Sequence, residues 1–72
     1  MMAGQKGQNR NREIVELIKK EIDRAFRVLG ADKGFTQNAT DLIAWHRDGV
    51  ITDSEYSDLR KYNASGYKTL LN

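Results

Sequence analysis

The sequence contains no cysteine and no proline, and its one histidine is His46. Without cysteine the chain can form neither a disulfide scaffold nor a thiolate metal site. One histidine cannot by itself supply a multi-histidine metal centre. The apolar runs are far too short for a membrane span or a secretory signal. These absences predict a soluble, cytoplasmic, helical protein that binds no metal and no cofactor.

The chain is also short, with 72 residues and a mass of 8.2 kDa. A chain of this size forms one domain with a thin core, because it buries only about 60% of the surface that it exposes when unfolded. Its hydrophobic share of 39% is nevertheless too high for a wholly disordered chain. We therefore expect one small folded domain with some large apolar side chains left at its surface.

Positive charge is concentrated at the start of the chain. Residues 1–12 contain three basic and no acidic residues, whereas residues 13–72 contain nine basic and ten acidic ones. The first segment has no apolar residue after Ala3, so it cannot bury enough surface to offset its ordering entropy. This composition predicts a flexible basic arm over residues 1–10, which is either an anion-binding segment or a solvated tail without function.

The strongest periodic pattern predicts a first helix over about residues 11–29. Its apolar residues recur every three or four positions, as they do on a helix with one buried face. They are Ile14, Ile18, Ile22, Ala25, Phe26 and Leu29. Gly30 is predicted to end the helix, because glycine takes the left-handed conformation at a helix terminus without strain.

Residues 30–38 are predicted to form a loop, and a second helix is predicted over about residues 39–48. Asn38 and Asp41, three residues apart, resemble a capping box at the start of this helix. Gly49 is predicted to end it in a Schellman motif. The predicted apolar face consists of Ala39, Leu42, Ile43 and His46.

The clearest start signal in the chain is the pair Thr52 and Glu55, which matches the capping-box pattern. The third helix is predicted to run from this pair to about Tyr62. Residues 63–66 contain asparagine, serine and glycine and are predicted to end it.

The predicted organisation is all-α. It consists of a disordered basic arm over residues 1–10, a three-helix domain over residues 11–66 and a C-terminal tail over residues 67–72. No internal repeat and no alternating strand pattern of useful length is present in the sequence.

Catalytic arrangements are not supported by the residues present. A nucleophilic triad requires a Ser, Thr or Cys beside a base and an orienting acid. His46 is the one imidazole, and it lies on the predicted apolar face of the second helix. The acidic residues are dispersed, and a body of this size has little room for a catalytic cleft. We therefore predict that the protein is not an enzyme.

A helix-turn-helix reader of DNA or RNA is the main alternative suggested by spacing. The second and third predicted helices are joined by a short turn containing Gly49. The third helix, however, carries carboxylates at its leading end, where they would face phosphates. These are Asp53, Glu55 and Asp58. Nucleic-acid binding of this kind is therefore expected to be weak.

Two sets of residues are candidates for contact with a partner. Basic residues of the arm and of one edge of the first helix could contact nucleic acid or an acidic surface. They are Lys6, Arg10, Arg12, Lys20, Arg24 and Arg27. Aromatic residues in the second half of the chain are protein-interface candidates, because aromatic side chains often anchor interfaces. They are Trp45, Tyr56, Tyr62 and Tyr67.

Residues 42–62 resemble the short C-terminal helical modules of bacterial proteins and small phage proteins of the XkdX type. The shared pattern is a helix, then G-x-I-T-x-x-E-[YF], then a second helix. It is matched here by Gly49, Ile51, Thr52, Glu55 and Tyr56. The resemblance implies an interaction module and not an activity.

The chain is also similar to small phage-encoded host-takeover regulators, a group that includes the short antitermination protein of a Xanthomonas phage. The similarity consists of the small size, the absence of cysteine and proline, the basic segment from Lys6 to Arg12 and the first predicted helix. It implies a cytoplasmic location in a bacterial or phage-infected cell. It also implies a larger host protein, bacterial RNA polymerase, as the partner.

The leading hypothesis is a non-enzymatic protein-binding regulator that docks on host RNA polymerase and modulates transcription. One alternative is a weak DNA- or RNA-binding helix-turn-helix protein whose basic arm makes non-specific contacts. Another is an oligomeric structural or accessory protein of a phage. A homodimer is also compatible with a core too small to bury all the aromatic residues.

Overall fold

The computed structural model of the protein describes residues 11–72 in full, and for residues 2–10 it describes no side chains. The chain forms three helices: α1 (Met2–Leu29), α2 (Ala31–Arg47) and α3 (Asp53–Leu71). The prediction of an all-α three-helix domain is confirmed. The predicted flexible arm falls on residues 1–10, outside the fully described residues, and it stays a prediction. No helix in the described part of the chain is long and apolar enough to cross a membrane.

α1 and α2 form an antiparallel hairpin joined by Gly30 alone, which has a φ of 88°. The N–H of Gly30 donates to the carbonyl of Phe26 at 3.0 Å, and the prediction that Gly30 ends the first helix is confirmed. Further along α2, Gly34 lies against Phe26, and the amide of Asn38 donates to the carbonyl of Ile22 at 3.2 Å. Later positions of α2 therefore meet earlier positions of α1.

α3 is antiparallel to α2 and therefore parallel to α1. Tyr67, late in α3, stacks on Phe35, early in α2, with 4.7 Å between the ring centroids. Toward α1, the hydroxyl of Tyr62 donates to both carboxylate oxygens of Asp23 at 3.0 Å. The three helices thus form an up-down-up bundle.

The core is a small cluster of buried apolar side chains from all three helices and from the turn before α3. Its members are Ile18, Ile22, Phe26, Leu42, Ile51 and Leu59. Leu42 and Leu59 have no exposed surface. Truncating a buried leucine to alanine costs about 2–5 kcal/mol of unfolding free energy, so these two residues carry a large share of the stability.

α2 begins at Ala31, so the prediction of a loop over residues 30–38 and of an N-cap at Asn38 is wrong. Gly34 and Asn38 are of residue types common in turns and caps, yet both are buried inside α2. A Cβ at Gly34 would lie 2.9 Å from the Cα of Phe26, so glycine is needed there for the approach of α1. Asn38 uses its amide between helices and not at a helix terminus.

α3 continues to Leu71, beyond its predicted end within residues 63–66. The residues that predicted a helix end are again used for contacts between helices. The amide of Asn63 donates to the carbonyl of Phe35 at 3.2 Å, and Gly66 faces the ring of Phe26. Tertiary packing therefore outweighs the weak helix propensity of this segment.

The turn after α2 closes in the predicted Schellman motif. Gly49 has a φ of 80°. Its N–H donates to the carbonyl of His46 at 3.1 Å, and the N–H of Val50 donates to the carbonyl of Trp45 at 2.9 Å. These two hydrogen bonds satisfy carbonyls that the helix end would otherwise leave free.

The start of α3 has the predicted capping box. The hydroxyl of Thr52 accepts from the N–H of Glu55 at 3.1 Å, and the carboxylate of Glu55 accepts from the N–H of Thr52 at 2.8 Å. Ile51, just before the cap, is buried, and Tyr56 packs against the same core. The turn and the cap together hold α2 and α3 in a defined hairpin.

Candidate functional site

A groove of about 550 Å³ runs between α2 and α3, and we call it the α2–α3 groove. The apolar residues that line it are Phe35, Ala39, Leu42, Ile43 and Ala64, of which Leu42 is fully buried beneath the others. Ile43 is 55% exposed, although isoleucine is a residue type that usually lies in a core. The groove therefore offers an aliphatic side chain and an apolar floor to a partner.

The charged residues that line the α2–α3 groove have one sign. Arg60 and Lys61 line it, and no carboxylate of residues 11–72 does. A second groove, of about 450 Å³ between α1 and α3, is lined by both Asp23 and Arg27. Because complementary charge selects and orients partners, the α2–α3 groove favours a partner that presents negative charge beside apolar side chains.

Tyr56, at the end of the groove near the α2–α3 turn, belongs to a stack of three side chains. The imidazole of His46 lies parallel to its ring, with 4.4 Å between centroids and 5° between planes. The guanidinium carbon of Arg60 lies 5.6 Å from the ring centroid. The Nε2 atom of His46 is also 2.5 Å from a carboxylate oxygen of Asp53. The stack places the Arg60 charge beside the groove before any partner binds.

The predicted basic contact residues lie elsewhere. Those within the described part of the chain are exposed on α1: Arg12, Lys20, Arg24 and Arg27. Lys6 and Arg10 lie outside the described side chains. Acidic residues alternate with these cations, and a guanidinium nitrogen of Arg24 is 3.7 Å from a carboxylate oxygen of Glu21. The structure does not bring this set together with the cations of the α2–α3 groove.

All four predicted interface aromatics are half-buried against the core: Trp45, Tyr56, Tyr62 and Tyr67. The hydroxyl of Tyr62 donates to Asp23 of α1, and the hydroxyl of Tyr67 donates to Asp32 of α2 at 2.5 Å. These two tyrosines tie α3 to the other helices. Tyr56 is the predicted aromatic that lines the α2–α3 groove.

The pKa values of Tyr62 and Tyr67 are both raised above the ordinary tyrosine value. Burial is the larger cause for Tyr62, followed by its hydrogen bond to Asp23. For Tyr67 the hydrogen bond to Asp32 is the larger cause. A carboxylate acceptor disfavours the phenolate in both cases. Both hydroxyls therefore remain protonated donors at neutral pH.

The sequence pattern did not point to Ile43, Arg60 or Lys61 as site residues. The prediction that Ile43 lies on the buried face of the second helix is wrong, because its side chain is exposed. The buried residues of α2 are Gly34, Asn38 and Leu42, at four-residue spacing. Ile43 is one position past this line and turns toward the groove. The spacing predicts the exposure of Ile43 only if a glycine and an asparagine are taken as core residues.

Within residues 11–72, no group of three or more His, Cys, Asp or Glu side chains is placed to hold a metal ion. The leading turn of α3 carries Asp53, whose side chain is 98% exposed, together with Glu55. Exposed carboxylates at this position repel phosphates. The geometry therefore gives no support to α3 as a helix that reads the major groove.

Comparison of the chain with protein-family models, with curated proteins and with solved structures found no match. The resemblances to phage proteins therefore stay predictions.

Proposed function

We propose that this protein is a non-enzymatic protein-binding module whose α2–α3 groove receives an acidic amphipathic helix of a larger partner. One observation carries the proposal. The exposed side chain of Ile43 lies in the same groove as Arg60 and Lys61, and no carboxylate of residues 11–72 lines that groove. An amphipathic helix laid into an apolar groove is a recurring mode of protein recognition.

Each part of the groove has a physical role in this binding. Apolar side chains of the partner would cover Ile43 and Ala39, and full burial of one leucine-sized side chain contributes about 1.5–3 kcal/mol. Carboxylates flanking that apolar stripe would meet Arg60 and Lys61, which steer the encounter and set the orientation. Tyr56 and Arg60 are of the residue types that most often dominate interface energetics.

The partner is expected to be supplied by another protein and not by the start of this chain. Residues 1–12 carry three basic residues and no acidic one, so their charge matches the charge of the groove and does not complement it. The similarity to phage-encoded regulators makes bacterial RNA polymerase the first partner to test. Modulation of transcription by occlusion of a polymerase surface is the regulatory mechanism that this partner would imply.

The proposal can be tested by titrating purified bacterial RNA polymerase with the wild-type protein and with groove variants. Ile43→Glu places a carboxylate on the apolar surface, and Arg60→Glu reverses one charge of the groove. Leu71→Glu is the matched control for the first, because Leu71 is 60% exposed and lies outside the groove. Lys33→Glu is the matched control for the second, because it makes the same charge change on α2 at a position outside the groove.

Binding by the wild type that weakens at least about tenfold in both groove variants, and not in the controls, would support the proposal; tenfold corresponds to about 1.4 kcal/mol. If the polymerase does not bind, the same variants are used to capture proteins from nuclease-treated bacterial lysate. A stoichiometric protein whose capture is insensitive to Ile43→Glu and Arg60→Glu would contradict the groove as the binding site.

Weak nucleic-acid binding through α1 is the competing function. It is favoured by the exposure of Lys20 and Arg27, and it is opposed by the contact of Arg24 with Glu21. A DNA titration distinguishes the two functions. Nucleic-acid affinity would fall steeply with salt and would weaken in Lys20→Glu/Arg27→Glu, whereas it would not respond to Ile43→Glu.

A further inference from the structure

A second surface lies on α1, and its residues belong neither to the core of the bundle nor to the α2–α3 groove. We call it the α1 stripe, and its members are Leu17, Glu21, Arg24 and Val28. Their spacing of four, three and four residues places them in one line along a helix. Leu17 is 60% exposed and Val28 is 71% exposed, which makes them two of the most exposed large aliphatic side chains among residues 11–72. Two oppositely charged residues separate them.

The α1 stripe is complementary to itself. Two copies of α1 can pack antiparallel about a two-fold axis so that Glu21 of one copy lies opposite Arg24 of the other. The two-fold axis then also places Arg24 of the first copy opposite Glu21 of the second. That register also sets Leu17 opposite Val28 of the other copy, at both ends. We propose that the partner of the α1 stripe is a second copy of this chain, packed antiparallel in this register. A two-fold interface requires this kind of self-complementarity.

The two ends of the α1 stripe differ in shape in a way that fits this register. A recess of about 210 Å³ opens beside Val28, between α1 and α2; the apolar residues Ala25 and Leu29 line it on the α1 side, and the polar residues Gln37, Asn38 and Asp41 line it on the α2 side. Leu17 is the other end of the stripe. It lies in a shallow hollow whose lining residues all belong to α1, so no residue of α2 or α3 covers it there. Leu17 of one copy can therefore enter the recess of the other.

The charges of the α1 stripe are available for this pairing. Within one chain, a guanidinium nitrogen of Arg24 and a carboxylate oxygen of Glu21 are 3.7 Å apart, and both side chains are more than half exposed. A pair that remains this exposed can exchange its partner at small cost. The contact between copies is short, so the dimer is weak, and it responds to salt because its charged pairs lie at the surface.

Sedimentation equilibrium over a range of concentrations tests the proposal with charge reversals. Glu21→Arg alone sets like charges opposite each other in a homodimer, and so does Arg24→Glu alone. Each single variant is expected to dimerise roughly tenfold less tightly than the wild type. An equimolar mixture of the two variants restores opposite charges at both positions. The mixture is therefore expected to form a heterodimer at least as tight as the wild-type dimer.

The mixing experiment separates pairing between copies from effects within one helix, because each variant keeps the same internal sequence in the mixture as alone. Val28→Glu is expected to abolish the dimer, whereas Ile43→Glu in the α2–α3 groove is expected to leave it intact. Circular dichroism verifies that every variant remains helical. A wild type that is monomeric at all concentrations, or a mixture no more associated than its components, would overturn the proposal.

Discussion

The side-chain amide of Asn38 in α2 donates a hydrogen bond to the side-chain oxygen of Asn63 in α3, with 3.0 Å between the two atoms. Asn38 donates in addition to the carbonyl of Ile22 in α1, and Asn63 donates to the carbonyl of Phe35 in α2. Both asparagines are buried. The pair thus connects all three helices, and sliding any one helix by a turn would leave buried polar atoms without partners.

Replacing both members of this pair is expected to destabilise the protein by less than the sum of the two single replacements. Asn38→Leu leaves the side-chain oxygen of Asn63 without its donor and removes the interhelical donor to the carbonyl of Ile22, at a cost of about 1–3 kcal/mol. In Asn38→Leu/Asn63→Leu the second unpaired side chain is gone, so the double variant should cost less than the sum of the single variants. Urea denaturation of the four proteins measures this coupling. Purely additive costs would show that the pair does not act as a unit.

Local signals in the sequence correctly predicted those helix ends that are formed by residues adjacent in the chain. Gly30, Gly49 and the pair Thr52 and Glu55 act within one turn of the chain, so their roles follow from residue type and spacing. They were sufficient to predict the number of helices and the hairpin between the last two.

Longer-range packing decided what the local signals could not. Gly34, Asn38, Asn63 and Gly66 have low helix propensity, which by itself predicts a loop or a helix end at each of these positions. Each of them instead lies inside a helix and contacts a residue far away in the chain. Because such partners cannot be identified before the helices are placed, the extent of α2 and α3 could not be predicted.

The candidate site was predictable only in part for the same reason. Tyr56 could be selected from its residue type alone, as an aromatic residue of the second half of the chain. The exposure of Ile43 and its position beside Arg60 depend on how α2 and α3 pack, which the sequence does not specify without the long-range contacts of Asn38 and Asn63.

The two glycines that face Phe26 are expected to respond differently to alanine. A Cβ at Gly34 would lie 2.9 Å from both the Cα of Phe26 and the carbonyl oxygen of Ala25, so the backbone of α1 would have to move. A Cβ at Gly66 would lie 2.9 Å from Cε2 of the Phe26 ring, which is a side-chain atom. Overpacking costs about 1–3 kcal/mol, and it exceeds the gain of about 1 kcal/mol in helix propensity most clearly at Gly34.

A second substitution at Phe26 makes this difference measurable. Leucine lacks the ring edge that Gly66→Ala would strike, so Gly66→Ala should cost less stability in a Phe26→Leu background than in the wild type. Gly34→Ala should be rescued less by Phe26→Leu, because only one of its three closest atoms, Cδ1 of Phe26 at 3.0 Å, belongs to the ring and the other two are backbone atoms. Thermal or urea unfolding of the six proteins gives the answer, and an equal rescue at both glycines would be inconsistent with the contacts described.

The capping box at the start of α3 is expected to contribute measurably to stability. Thr52→Ala removes the acceptor for the N–H of Glu55, and loss of an N-cap side chain costs about 0.5–2 kcal/mol. Ser54→Ala, two positions later, changes an exposed hydroxyl with no part in the cap and should alter the unfolding free energy by less than about 0.5 kcal/mol. Equal effects of the two substitutions in urea denaturation would argue against a stabilising role for the box.

Stability is expected to fall at alkaline pH because of Tyr62 and Tyr67. Their pKa values in the folded protein are raised above the unfolded value of 10.0, so the folded state retains protons that the unfolded state releases. The stabilisation is therefore complete below about pH 10 and is lost as the pH rises through the folded-state pKa values.

Tyr62→Phe/Tyr67→Phe isolates this contribution. The double variant loses the two hydrogen bonds to carboxylates and is less stable at neutral pH, but its urea midpoint should decline less between about pH 9 and pH 11 than the wild-type midpoint does. Tyr56→Phe removes a hydroxyl at the α2–α3 groove and serves as the control. Parallel pH profiles for the wild type and the double variant would mean that these tyrosines do not link proton release to unfolding.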